Sequence, residues 1–158
     1  MDVLVPVQPN RKESIGIGDF GERIMKLKFY TIPRSIFFDT PSTIIGTLNI
    51  VRKLPEKKYD VAIATTPPPD TALIAHNLRL LNRTRKFAID IRDDITSTLE
   101  VQFSYSGMLS FLHTSFARMN LPFYYRVLKE ADLVTAATEG LSTYYRDILG
   151  IQVEVIYN

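Results

Sequence analysis

The chain has 158 residues, enough for one domain with its own core and too few for two. Hydrophobic residues make up 46% and charged residues 23%, with a net charge of +2 spread along the chain, which argues against disorder and against a nucleic-acid footprint. The absence of cysteine excludes a disulfide framework, a thiolate metal site and a cysteine nucleophile.

Val3 to Val7 is a short apolar run closed by Gln8-Pro9-Asn10, which predicts a strand and a turn. Residues 16–21, Gly16-Ile-Gly18-Asp-Phe-Gly21, fit G-x-G-x-x-G, but a polar loop separates them from the strand, and a strand pattern follows instead of a helix. The reading is therefore a loop and not a phosphate cradle. Met25 to Phe29 alternates with period two and predicts a strand that Pro33 ends. Thr40-Pro41 marks a helix start, and Ile44, Ile45, Leu48, Val51 and Leu54 form its apolar face, with Pro55 as the stop.

Tyr59 to Asp94 is the organising stretch. Two apolar runs, Val61–Ala64 and Phe87–Ile91, each end in hydroxyl or charged residues. Continuous apolar runs mark parallel strands covered on both faces, and ligands of such sheets bind beyond the strands' carboxyl ends. Three prolines after Thr66 turn the chain away. Asp70 or Thr71 is expected to cap a helix whose buried face is Ala72, Leu73, Ala75, Leu78 and Leu81. His76 is read as a surface or partly packed residue, and Arg79, Arg83, Arg85 and Lys86 as cations gathered at the helix C-terminus.

Residues 95–105 are ambiguous. Gly107 to Glu130 predicts a long helical region punctuated by Pro122, unusually apolar and aromatic, suited to core packing with a face for another domain or to contact with a membrane surface. Asp132 to Ala137 is a buried strand, Thr138 caps a helix with Glu139 in its first turn, and Gly150 ends it. Val153 to Tyr157 is a last strand. Alternation of strands and helices from Val61 onward predicts an α/β, Rossmann-like three-layer domain with a mainly parallel sheet over residues 1–158. No apolar run approaches the ~20 residues of a membrane span. The N-terminus lacks the basic region of a signal peptide, so a cytoplasmic location is expected, with the membrane surface as a second site.

Four blocks in order resemble a known family: Asp60-Val-Ala-Ile-Ala-Thr-Thr-Pro-Pro, Ala88-Ile-Asp-Ile-Arg-Asp, Glu130-Ala-Asp-Leu-Val-Thr-Ala-Ala-Thr-Glu-Gly-Leu and Val153-Glu-Val-Ile-Tyr-Asn. The series is similar to the N-terminal, acceptor-side half of family-4 glycosyltransferases over about residues 59–158, and no single block is diagnostic. The resemblance implies one of the two facing domains of a GT-B arrangement. It implies a retaining transfer from a nucleotide-sugar donor to a hydroxyl of a glycan, a lipid or another acceptor. Two departures matter. The chain ends at Asn158, where the family's hinge begins, without the C-terminal Glu-x(7)-Glu pair that holds the donor. Residues 1–32 resemble the family's second and third strands, which implies that the family's first βα unit is lacking, its place filled by Val3 to Val7 or by another chain.

The resemblance implies an enzyme half that is inactive alone. It needs a C-terminal donor-binding domain, in the same chain or as a partner, and takes a sugar or lipid-linked acceptor. No cofactor and no metal are implied; the nucleotide sugar is a substrate. A homo-oligomer and peripheral membrane contact are further candidate associations. Asp93 is the expected catalytic carboxylate, orienting the acceptor hydroxyl, with Asp90 and Asp94 as alternates. Thr65, Thr66, Arg92, Thr138 and Glu139 are the expected acceptor-binding residues. Asp90 and Arg92 fall on one side of their strand and suit an ion pair, and Thr138 and Glu139 are equally explained as caps. The alternatives are a Rossmann-like binding or assembly module without catalysis, and half of a GT-B sugar-nucleotide epimerase.

Overall fold

A computed structural model describes residues 2–7, 28–33, 43–54, 56–67, 69–95 and 109–157, which fall into two compact units, residues 1–36 and 37–158. The first unit contains β1 (Asp2–Val7) and β2 (Lys28–Pro33), paired parallel from Asp2↔Lys28 to Val7↔Pro33. β2 contains Phe29 of the expected strand and ends at Pro33 as expected; Met25 to Leu27 fall outside the described residues, as does the Gly16–Gly21 stretch.

The second unit contains α1 (Thr43–Lys53), β3 (Tyr59–Thr66), α2 (Asp70–Leu80), β4 (Thr84–Ile91), α3 (Leu109–Glu130), β5 (Leu133–Ala136), α4 (Glu139–Leu149) and β6 (Glu154–Val155). Its four strands form an all-parallel sheet in the order β3-β4-β5-β6, accompanied by four helices among the described residues. The α/β, Rossmann-like expectation therefore holds.

Sequential strand order has a physical consequence. Three successive crossovers step the same way across the sheet, and crossovers share one hand, so α2, α3 and α4 pack on the same face. That face supplies Ala64, Phe87, Ile89, Ile91, Val134 and Ala136 to the core, against Ala72 and Leu73 of α2, Tyr124 and Leu128 of α3, and Tyr145 of α4. On the other face Val61 is 50% exposed, Ile63 76% and Leu133 45%, while Thr135 is buried at 5%. The β3 run is a strand as expected, but it is buried on one face only.

Helix ends follow local chemistry in part. Thr138, extended at φ −141°, accepts a hydrogen bond from Leu141 N–H at 3.2 Å and caps α4. Gly150 at φ 66° closes α4 in the left-handed region that favours glycine, and its N–H donates to Arg146 O at 2.8 Å. For α2 the expected cap is corrected: Pro69 is the N-cap and no side chain caps the helix. Thr71 Oγ1 instead donates to Thr65 O at 2.6 Å, a contact across the turn that no local pattern announces. Asp70 remains in the first turn, where the helix dipole favours it. Thr40 and Pro41 lie outside the described residues.

Other packing expectations change. Val51 of α1 is buried as expected, but Ile45 is 65% exposed and Thr47 is buried. Thr47 Oγ1 accepts from Asn77 Nδ2 at 3.0 Å, tying α1 to α2. Arg83 Nη1 donates to Val51 O (2.6 Å) and Leu54 O (3.0 Å), so it satisfies carbonyls at the end of α1, whereas Arg85 and Lys86 belong to β4. His76 is buried at 6% exposure, edge-on to Phe87 and Phe123, with Nε2 2.8 Å from Glu130 Oε2. Helix α3 continues through Pro122. Its Tyr124, Val127 and Leu128 are buried and Met119 is 72% exposed. The last strand is shorter than expected, residues 154–155 alone. Among the described residues no helix is long and apolar enough to cross a membrane.

Candidate functional site

The carboxyl ends of the parallel strands bring the chemistry-bearing residues to one edge of the sheet. Parallel register aligns Thr65 with Asp90, Asp90 with Thr135 and Thr135 with Glu154 in one row on the face opposite α2, α3 and α4. Thr66 and Ile91 form the next row on the helix-covered face. Two adjacent threonines of β3 therefore have separate surroundings. Thr65 is exposed. Thr66 is fully buried, and its Oγ1 is hydrogen-bonded to Tyr124 Oη at 3.3 Å.

Asp90 is committed to structure on both oxygens. Oδ1 accepts from Thr135 Oγ1 at 2.8 Å, and Oδ2 accepts from Arg92 Nε. The Arg92 backbone N–H donates to Thr66 O at 2.8 Å, holding the turn after β4 against the end of β3. Asp93 follows, exposed, with no hydrogen bond or ion pair among the described residues. Asp94 is half-buried and already engaged. Ile95 is buried and anchors the turn from below.

Beneath this edge lies a tyrosine cluster that sequence reading did not place at the site. Burial pushes the Tyr124 phenol well above its ordinary value, against a smaller lowering by its bond to Thr66. Burial likewise raises Tyr145, whose neighbours Tyr124 and the Asp94 carboxylate add to the effect. Tyr125 is pushed up to about 12 by burial, then by Tyr144 and Asp94. The Tyr144 and Tyr145 rings meet edge-on at 5.2 Å. The two Tyr-Tyr pairs, at 124–125 and 144–145, were the available signal: adjacent aromatics within two helices that pack on one sheet face.

Around β5 and β6, Thr138 spends its hydroxyl on the α4 cap, and Glu139 Oε1 accepts from Tyr157 Oη at 3.0 Å. That bond to a carboxylate raises the Tyr157 phenol. Ser142 Oγ donates to Val153 O at 2.8 Å and fixes the approach to β6. So Thr65, Asp90, Arg92, Asp93, Thr138 and Glu139 do share the carboxyl edge of the sheet, while Thr66 is turned into the core. Among them Asp93 and Thr65 keep side chains available to a ligand. A groove of 310 Å³ lies elsewhere, around the amino end of β5 between Leu128, Asp132, Ile151 and Gln152; Glu154 lines it, whereas Thr65, Asp90, Arg92, Asp93, Thr138 and Glu139 do not.

Among the described residues no group of three His, Asp or Glu side chains could hold a metal ion. Comparison of the chain with family models, curated proteins and solved structures finds no match in any of the three.

Proposed function

We propose that this chain is the acceptor-binding half of a retaining glycosyltransferase, moving a sugar from a nucleotide-sugar donor to a glycan, lipid or other hydroxyl acceptor. The observation that carries the reading is Asp93: an exposed carboxylate at the carboxyl end of β4, uncommitted among the described residues, beside an Asp90 already neutralised by Arg92. The ordered blocks over residues 59–158 support it.

In the proposed reaction the acceptor oxygen forms a bond to the anomeric carbon. The bond from that carbon to the donor phosphate breaks, and the hydroxyl proton leaves with the departing phosphate oxygen. Asp93 accepts a hydrogen bond from the acceptor hydroxyl and orients it; Thr65 hydrogen-bonds a neighbouring sugar hydroxyl. Arg92 holds the Asp90 carboxylate away from the acceptor. A donor-binding domain, in the same or another chain, supplies the groups that stabilise the departing phosphate. The reaction takes place at the cytoplasmic face, with no metal or cofactor.

Saturation-transfer NMR of the full chain against a panel of alkyl glycosides and short lipid-linked sugars tests this. Signal transfer to at least one glycoside, lost in Asp93→Ala, is the expected result. Absence of transfer to every member, or transfer unchanged in the variant, overturns the acceptor role.

One observation favours a second reading, a binding module without catalysis: Asp90, Thr138 and Glu139 are each spent on structural contacts, leaving few free groups. Glycoside binding that survives Asp93→Ala is the result that selects it.

A further inference from the structure

Strand β4 ends at Ile91, and the three residues after it take three surroundings. Arg92 pairs back with Asp90, Asp93 is exposed, and Asp94 is half-buried just before the buried Ile95. An exposed carboxylate on a loose turn samples many directions, and ordering it when a ligand arrives costs affinity. A turn held in place beforehand removes that cost. The groups that hold residues 92–95 therefore bear on what Asp93 can do.

Two sets of contacts hold that turn. On the β3 side, Arg92 N–H donates to Thr66 O at 2.8 Å, and Thr66 Oγ1 is in turn hydrogen-bonded to Tyr124 Oη at 3.3 Å. On the helix side, the Asp94 carboxylate lies close enough to the Tyr124, Tyr125 and Tyr145 phenols to help raise all three, and the Tyr145 phenol lies against the Ile95 backbone. Tyr124 and Tyr145 are fully buried, so these phenols stand on close packing and not on mobile side chains. Tyr124 is common to both sets, bonded to Thr66 and facing Asp94. Phenolic O–H groups suit a carboxylate acceptor, and they act strongly where water is scarce. With Asp94 seated inward, the residue before it is left at the surface with its carboxylate uncommitted among the described residues.

We propose that Asp94 is a positioning residue and not an alternate for the carboxylate that meets the acceptor: seated against the Tyr124 and Tyr145 phenols, it locks the turn of residues 92–95 so that Asp93 is held ready for the acceptor hydroxyl. Tyr124 belongs to the same device, since it reaches the turn through Thr66 as well. The inference rests on the acceptor-binding reading of Asp93.

The test uses the full chain without and with ligand. Without ligand, the Arg92 amide reports on the turn through its bond to Thr66 O. Asp94→Ala should speed its hydrogen exchange at least about 10-fold with the core amides of β4 unchanged, and Asp94→Asn should stay within about 3-fold of wild type. With ligand, the chain is titrated with hexyl glycosides of glucose, galactose and mannose and followed by NMR. For a glycoside that the wild type binds, Asp94→Ala should raise Kd at least about 10-fold. Asp94→Asn should restore most of the affinity, because the amide keeps an oxygen that accepts from a phenol. Tyr124→Phe keeps the ring in the core, removes only the hydroxyl and should show both changes at about 3-fold, so the outcome does not depend on Asp94→Ala folding. Binding lost in Asp93→Ala but kept in Asp94→Ala overturns this inference alone. So does an Asp94→Asn variant as weak as Asp94→Ala, or an Arg92 amide that exchanges equally fast in Asp94→Ala and wild type. A wild type that binds none of the glycosides, or binding unchanged in Asp93→Ala, overturns the acceptor reading, and this inference falls with it.

Discussion

Thr135 Oγ1 on β5 donates to Asp90 Oδ1 on β4 across 2.8 Å, and the same carboxylate accepts from Arg92 on its other oxygen. The Asp90 side chain is only 13% exposed, so both bonds form where water competes poorly. Asp90→Ala leaves the Thr135 hydroxyl and the Arg92 guanidinium without their acceptor. The expected loss is about 2–3 kcal/mol, and about 1 kcal/mol for Thr135→Val, which removes the donor alone. Urea midpoints at unchanged slope measure both. Equal stability of Asp90→Ala and wild type would show that the pair does not hold the strand ends.

Asp93 is predicted to behave in the opposite way. It is exposed and uncommitted among the described residues, so Asp93→Ala should change stability by less than about 0.5 kcal/mol. In an enzyme complete with its donor-binding domain, the same change should lower turnover by at least about 10²-fold, the scale for a positioned catalytic group. Retained turnover in the folded variant removes Asp93 from the chemistry.

How far these roles could be read from the chain depends on the range of the forces involved. The Asp90–Arg92 pair is two residues apart on one strand and was legible from spacing. The Thr138 cap and the Gly150 stop are equally local, and both are found. The cap of α2 was not legible, because the Thr71 hydroxyl is drawn to Thr65 O across a turn. His76 and Ile45 exchange their expected exposures because helical spacing gives a face but not its direction. Glu130 and two phenylalanine rings decide the first, and the Thr47–Asn77 bond the second. The β3 run marked a strand, but its open face follows from strand order, which no local pattern contains. Asp93 was singled out from a resemblance, and its exposure is what the structure adds.

The buried phenols predict alkaline lability. Tyr124 and Tyr145 are fully buried, and burial raises both above the ordinary 10.0. Below pH 10 both folded and unfolded chains keep these groups neutral, and their contribution is fully present. As pH rises past 10 the unfolded chain loses protons that the fold retains, so stability falls. Each phenol contributes about 1.4 kcal/mol per pH unit, so about 2–3 kcal/mol is lost by pH 11. Phenolate absorbance should rise together with loss of near-ultraviolet dichroism for these two groups. Ionisation of Tyr124 with the fold intact would contradict this.

Glu130 couples α2 to the end of α3. Its carboxylate accepts from Arg126 Nε at 2.9 Å and from His76 at 2.8 Å, and these bonds, Arg126 first, hold it below the ordinary carboxylate range. A depressed carboxyl stabilises the fold above its unfolded value of 4.5, and that contribution is lost as pH falls through the folded value. Glu130→Ala should flatten this acid-side loss. It should also cost about 1–3 kcal/mol at neutral pH, because His76 Nε2 is left in the interior without its acceptor while Nδ1 has no hydrogen bond among the described residues. Denaturant midpoints between pH 3 and pH 7, compared for the variant and wild type, decide it.

The one-sided core makes neighbouring isoleucines unequal. Ile89 on β4 is fully buried beneath the helices, whereas Ile63 on β3 is 76% exposed on the other face. Ile89→Ala removes buried methylenes and leaves a cavity that the packed helices close only in part, at a cost of about 2–5 kcal/mol. Ile63→Thr keeps a β-branched strand residue and removes exposed apolar surface. In the chain alone its cost should stay within about 0.5 kcal/mol, with a lower tendency to aggregate. Thermal unfolding and light scattering measured on the two variants separate these outcomes. A loss at Ile63→Thr as large as that at Ile89→Ala would mean that the sheet is covered on both faces by the chain itself.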